Sequence, residues 1–259
     1  IRYVYNYFLN ERKEQYQADK KSDNYYKQAA TLTELKKKEE TAWLKEVNSQ
    51  SLQFALRCLD TAYVNFFRGN AKFPRFKSRK KKNSFTVPQF AKLEGGRFFA
   101  PKFKEGIKVN VHREVKGEIG KCTLSKTPTG KYFVSILSEE QYQPKEKTGA
   151  VCGIDLGLKD FATLSNGEKI ESQRTYRRYE QKLGIAQRAR NKKRVKAIHA
   201  KIKQIRHNHL HQESTTLVKN YAAIFVGNVN AKSLAKTKLA KSVLDAGWTM
   251  FRTLLKYKC

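Results

Sequence analysis

Acidic residues are scarce in this 259-residue sequence. Only 23 Asp and Glu stand against 54 Lys and Arg, a formal net charge of +31. Such an imbalance argues against an ordinary enzyme of small molecules, because self-repulsion destabilises the compact state. A polyanion offsets it, and nucleic acid is the commonest one. Cysteine is sparse too. Cys58, Cys122, Cys152 and Cys259 lie far apart with no C-x-x-C pair, which excludes a legible zinc site or disulfide framework. With no signal peptide, a reducing cytosol is the expected compartment. No apolar run reaches 18 residues, so no membrane span is expected. Internal repeats are missing, as is low-complexity sequence beyond the Lys-rich patches. What remains is substantial: 39% hydrophobic residues, with 15 Phe and 13 Tyr. A disordered basic tail has no use for these; a packed core or a base-stacking surface does.

Three regions follow from the patterning. Residues 1–67, free of Pro and Gly, read as helical. Leu52, Ala55, Leu56, Leu59, Ala62, Tyr63 and Phe66 recur at i, i+3, i+4, i+7, with Asn48 or Ser49 as the N-cap. Tyr3 to Gln17 and Leu32 to Glu40 are further helices, joined through Asp19–Asn24. Residues 68–144 open with a basic loop, then alternate as strands at Phe85/Val87, Phe98-Phe99, Val109/Val111 and Tyr132–Leu137. Turns at Glu94–Arg97 and Pro128–Lys131 separate them. The expected product is a small β-rich module, read as a barrel, into which the helices insert or dock.

Residues 145–259 begin with a polar linker and the strand Ala150–Gly157. Asp160–Ser165 follows, then the Asn166-Gly167 turn into Glu168–Glu171. A long basic helical region from Gln173 to Gln212, a strand at Ala222–Val229 and a helix at Ala240–Leu255 complete the order of a mixed α/β sheet. Ile1 already lies inside a helical pattern and Lys258-Cys259 carries no terminator, so the sequence reads as a segment trimmed at both ends.

Three features bear chemistry. Asp155 sits in an apolar strand, where a buried carboxylate costs several kcal/mol unless paired, hydrogen-bonded or metal-bound. Gly153 and Gly157 flank it and let a ligand or another backbone approach. Asp155 is either a divalent-metal ligand of an RNase H-type nuclease or a strand-end turn cap; Asp160 and Glu168 read as hairpin residues. Between Arg174 and Arg206 lie 13 Lys/Arg and one acid, Glu180, around a narrow seam of Val195, Ile198, Ile202 and Ile205. That composition suits phosphate contacts. Arg68–Asn83 carries eight Lys/Arg and no acid around Phe73-Pro74-Arg75-Phe76, aromatics interleaved with cations as in base-stacking sites. Of His207, His209 and His211, only the first and last can share a helix face, which disfavours a metal cluster.

These blocks resemble the TnpB (OrfB) proteins of bacterial insertion sequences. The matching runs are Trp43–Val47, Leu52-Gln53, Tyr63–Phe67, Pro74–Lys77, Gly153–Ala162, Lys201–His211, Leu244–Trp248 and Leu255–Lys258. The family consists of RNA-guided DNA nucleases related to the type V CRISPR effectors. The resemblance implies an α+β multidomain fold, incomplete at both ends: a helical recognition region (1–67), a wedge-like β-barrel (68–144), then a RuvC domain of RNase H type (145–259). It implies a guide RNA and a double-stranded DNA target beside a short motif read by the protein, in the bacterial cytoplasm at the nucleoid. The expected nucleic-acid contacts are Arg75, Phe76, Lys77, Arg79, Lys80, Lys81 and Lys82 in the loop. In the basic helical region they are Arg188, Arg190, Lys192, Lys193, Arg194 and Lys196.

Family members cut with three acids around Mg²⁺ (or Mn²⁺). Carried over, Asp155 is the first of them and the metal ligand. The second, a Glu within a Val-Glu-Asp-Leu-like block, falls on Phe225-Val226-Gly227-Asn228-Val229, with Gly227 in place of the Glu and Asn228 in place of the neighbouring Asp. The third acid and a Zn²⁺ ribbon are expected beyond Cys259. Some branches place a compensating Glu later in the chain; others have lost the triad and act as guided repressors without cleavage. The function implied is RNA-guided DNA binding, with cleavage only if later acids complete the site. The alternatives are a nuclease-dead guided repressor and a DNA-binding accessory transposase that needs no RNA.

Overall fold

A computed structural model describes residues 1–79, 83–141 and 149–259. The chain divides into two compact units, 1–142 and 143–259. The first opens with α1 (Arg2–Asp19), α2 (Tyr25–Leu35), a 3₁₀ helix (Glu39–Glu46) and α3 (Ser49–Phe67). Val4, Phe8 and Leu9 of α1 meet Leu32, Leu44, Leu52, Leu56 and Leu59 in one core. Inside it Arg12, 3% exposed, bonds Asp60 at 2.8 Å and lies over the Tyr63 ring. Asn48 caps α3 by accepting from Gln50 N–H. The helix expected over Leu32–Glu40 instead ends at Leu35. Thr41 Oγ1 donates to the Leu35 carbonyl, which supplies an acceptor at the helix end with a partner outside the helix.

Among the described residues six strands complete this unit: β1 (Asn83–Val87), β2 (Lys92–Glu94), β3 (Arg97–Ala100), β4 (Phe103–Lys108), β5 (Glu118–Lys126) and β6 (Tyr132–Glu139). Their ladders form two antiparallel sheets, β1-β5-β6 and β2-β3-β4, around one small core of Val87, Phe98, Ala100 and Cys122. Both expected turns join hairpins. The strand expected at Val109/Val111 lies earlier, at Phe103–Lys108, and Val109 N–H closes its end on the Gly96 carbonyl at 2.9 Å.

The second unit is mixed α/β, consistent with a RuvC-like domain. Its strands are β7 (Val151–Leu156), β8 (Asp160–Leu164), β9 (Lys169–Glu171) and β10 (Ala223–Val226), in the order β10-β7-β8-β9. β7, β8 and β9 pair antiparallel; β10 joins parallel to β7. The basic region is two helices, α4 (Thr175–Arg188) and α5 (Lys192–Asn220), because Arg190 turns the chain with φ 50°. They pack through Leu183, Ala186, Ile198 and Ile202, with Val195 alongside. α6 (Ala231–Leu234), α7 (Ala240–Ala246) and α8 (Trp248–Lys258) follow.

The helix expected over Ala240–Leu255 breaks at Gly247, which takes φ 73° and closes on Arg206 and Leu210 of α5. Only glycine adopts that backbone without steric cost. Lys258 Nζ then fastens α8 to α5 through the His211 carbonyl and the Ser214 and Thr215 hydroxyls, at 2.7–2.9 Å. Gly247→Ala should therefore destabilise the chain by about 1–2 kcal/mol from the left-handed backbone alone. Urea unfolding at unchanged slope measures it, and an unaffected midpoint would contradict the assignment.

Candidate functional site

Alternation along β7 decides where Asp155 points. Cys152, Ile154 and Leu156 are buried against the α5 and α8 side chains Leu210, Leu217, Phe251 and Leu254. Successive strand side chains face opposite ways, so Val151, Gly153 and Asp155 share the other face. That face is open: Val151 is 59% exposed, and Phe225, beside Gly153 on β10, is 67% exposed. Asp155 is exposed as well. The desolvation cost expected of a buried carboxylate is therefore not incurred, and nothing in its burial forces a partner on it. Gly157 serves the turn after β7, since a Cβ there would meet the Asp160 carbonyl at 2.8 Å. Asp160 pairs with Lys169 at 3.5 Å, and Glu168 N–H donates to Asn166 in the turn.

Beside Asp155 lies Gly227. The parallel ladder runs one step past β10, with Gly227 N–H donating to the Ile154 carbonyl at 2.8 Å. A Cβ on Gly227 would stand 3.7 Å from Asp155 Oδ1, with no atom closer than 3.4 Å. A side chain fits there and would reach the space in front of Asp155; glycine leaves that space without a second carboxylate. Asn228 is exposed. Among the described residues no three His, Cys, Asp or Glu groups converge to hold a metal. The residues present thus do not fit a two-metal centre: a divalent ion here would find one protein carboxylate, short of the several oxygen ligands Mg²⁺ takes.

Cations gather elsewhere in the same unit. Arg188, Arg190, Lys192, Lys193, Arg194 and Lys196 are all exposed around the α4–α5 turn. The lone acid of the stretch, Glu180, is drawn away from them. It pairs with Arg177 and with Lys241 of α7, and these cations hold its carboxyl below the usual glutamate range. His207 and His211 do converge, their rings 4.3 Å apart, while His209 turns to Glu213 and Phe161.

In the first unit the basic loop is tied down. Asn6 of α1 accepts from Lys77 N–H at 2.7 Å and donates to the Lys77 carbonyl at 3.0 Å. The Lys77 ammonium lies 3.8 Å from the Tyr5 ring centre, a cation–π contact, and lost hydration lowers its pKa. Arg75 and Arg79 are exposed; Phe76, 49% exposed, stacks under Lys13. Lys80, Lys81 and Lys82 lie outside the described residues.

Comparison with known proteins meets this geometry. The family model of OrfB from IS605, described as "Probable transposase", matches residues 133–238. A protein of Streptomyces pristinaespiralis named "Putative RNA-guided DNA endonuclease" is 36% identical across all of this chain and 69% of its own length. A second, "Putative RNA-guided DNA endonuclease InsQ" of Escherichia coli K12, is 33% identical over 99% of this chain and 71% of its own. The chain belongs to the TnpB (OrfB) family. Within that family fold, two site features escaped the sequence reading. Arg252, whose Nη2 donates to the Gly227 carbonyl, left only the polar face of an amphipathic helix as its signal. Asn6 left none, since its partner is 71 residues away.

Gly227 lies outside the left-handed region, so Gly227→Glu should fold and set a second carboxylate against Asp155. We expect the variant alone to gain a Mn²⁺-dependent rise in unfolding free energy, about 2.7 kcal/mol at ~100 times the dissociation constant. An equal metal response in the parent and the variant would refute this placement.

Proposed function

We propose that the chain is the guide-binding and DNA-binding part of an RNA-guided TnpB-family protein, with cleavage dependent on carboxylates other than those described. The observation that carries the binding role is the α4–α5 turn, six exposed cations with no acid among them. Phosphate backbones are held by such surfaces irrespective of sequence. The names of the two relatives support a guide RNA and a DNA target. In this reading base pairing reads the target, while the protein reads shape and a short adjacent motif.

The turn residues Arg188–Lys196 line the channel for the guide–target duplex. In the loop, Arg75, Phe76 and Arg79 face the DNA beside the motif or the guide backbone, and Lys77 acts by seating the loop on α1. Asp155 is the first metal carboxylate. Mg²⁺ or Mn²⁺ would supply water activation and leaving-group stabilisation, and no step is assigned to it on one carboxylate. A second reading, guided binding without cleavage, is favoured by Gly227.

A stoichiometric RNA of defined sequence should co-purify with the full-length protein; protein free of RNA that still binds DNA would indicate an accessory transposase instead. Asp155→Ala in that protein should abolish any metal-dependent cutting and leave guided binding unchanged, and cutting at the parental rate would remove Asp155 from the site. Replacing Lys192, Lys193 and Arg194 with Ala should weaken binding to all sequences alike and lower the log–log salt slope by about two to three. An unchanged slope would place the phosphates elsewhere.

A further inference from the structure

Two imidazoles on α5 have no partner in the fold but each other. His207 and His211 stand one helical turn apart, the i, i+4 spacing that puts both side chains on one face. Their ring centres are 4.3 Å apart and the planes are tilted by 50°. Among the described residues neither ring has a hydrogen bond or an ion pair. His209, between them, differs: it turns to Glu213 at 3.5 Å and its ring meets Phe161. The run thus settles one histidine in packing and leaves two side by side, His207 exposed and His211 half-buried. Two charged rings so placed would repel. For His211, lost hydration above all, then His207 and Lys258, lower the pKa. Its ring is therefore neutral at pH 7 and offers a nitrogen lone pair.

A neutral imidazole is the commonest side-chain ligand of transition metals, and two at i, i+4 on one helix face form the spacing by which helices hold zinc. The turn that carries them is already held. Lys258 Nζ and Thr215 Oγ1 both donate to the His211 carbonyl, at 2.9 and 2.7 Å, which lowers the ordering cost of chelation. The surroundings choose the ion. Lys201, Gln204, Ile205 and Asn208 border the same groove, and no carboxylate does. Mg²⁺ and Ca²⁺ take oxygen ligands, carboxylates above all, and find none here; ions that prefer imidazole nitrogen find two. We propose that His207 and His211 chelate a divalent transition-metal ion of the Zn²⁺, Ni²⁺ or Cu²⁺ class on the open face of α5, with water completing its shell. The ion staples the turn to which Lys258 fastens α8. This site is independent of the nucleic-acid reading above and of Asp155.

The test is nuclear magnetic resonance of the full-length protein labelled at the histidine ring nitrogens and titrated with ZnCl₂. The two rings are identified by the loss of their signals in His207→Gln and His211→Gln. These signals report the two side chains alone, so zinc held elsewhere in the protein does not enter. Both rings should move together and saturate together, while His199, an exposed histidine of the same helix, stays in place. His207→Gln puts a good helix former at an exposed position and breaks the chelate, so the zinc response of His211 should weaken by about tenfold or more. An excess of MgCl₂ should displace nothing. Movement of one ring without the other, or of His199 in step with them, would show zinc meeting isolated surface histidines and overturn the chelate. An undiminished His211 response in His207→Gln would do the same, and displacement by MgCl₂ would overturn the choice of ion. No movement at all would remove the site and leave the proposed function standing, since that function uses neither histidine.

Discussion

Packing of one face of β7 sets the terms for the whole second unit. Cys152, Ile154 and Leu156 must meet Leu210 and Leu217 from α5 and Phe251 and Leu254 from α8. Removing that much apolar surface from water is the dominant favourable term in folding such a sheet. Once those three point inward, period two sends Gly153 and Asp155 outward, and the parallel register of β10 places Phe225 and Gly227 alongside them. The register cannot slip by one residue without burying the carboxylate and exposing the core. The core thus fixes the candidate site without contributing an atom to it.

The same separation disposes of the charge. An excess of +31 is tolerable in a folded chain only if the cations stand apart from the core and from one another's low-dielectric surroundings. The second unit places six at the α4–α5 turn, where water and salt screen them. Few acids are left to neutralise anything, and two of them join elements: Glu180 ties α4 to Lys241 of α7, and Asp245 accepts from Tyr176 N–H at the start of α4. Burial raises the Asp245 pKa while that N–H and Arg206 oppose the rise. Glu180 and Asp245 thus serve the packing of α4 and α7, and no carboxylate stands among the six cations of the α4–α5 turn.

What the sequence disclosed follows the range of the interactions involved. Local periodicity located α3 with its Asn48 cap, both hairpin turns of the first unit, and β7 through β9, because each is decided within a few residues. The three-residue β2 and the nine-residue β5 are not legible there, nor is the division of the strands into two sheets. Apolar alternation there is weak, and pairing partners as distant as Phe85 and Leu124 settle the outcome. Continuous helices were read across Arg190 and Gly247, where one left-handed residue suffices to turn the chain. Asp155 was legible as a candidate but not as exposed: an apolar run looks buried on both faces, whereas this sheet carries its helical cover at β7 on one face. The role of Arg252 was out of reach, since it depends on α8 crossing the end of β10.

Gly227 is where the geometry imposed by the core and the scarcity of acids meet. An open face beside a carboxylate, in a unit whose cations stand exposed at the α4–α5 turn, suits the strand binding proposed above, and binding needs no second acid. Cutting does, because a divalent ion held by a single exposed carboxylate gains too little to offset the loss of its own water. Under the proposed function, glycine at 227 does not oppose a polyanion; it leaves one negative charge fewer beside Asp155 than a glutamate there would. Arg252 holds the Gly227 backbone, so the loop keeps its geometry with no carboxylate at position 227. Under the proposed function, affinity for a strand and competence to cleave it are thus separable at one residue, and the described residues place one carboxylate, Asp155, toward the second.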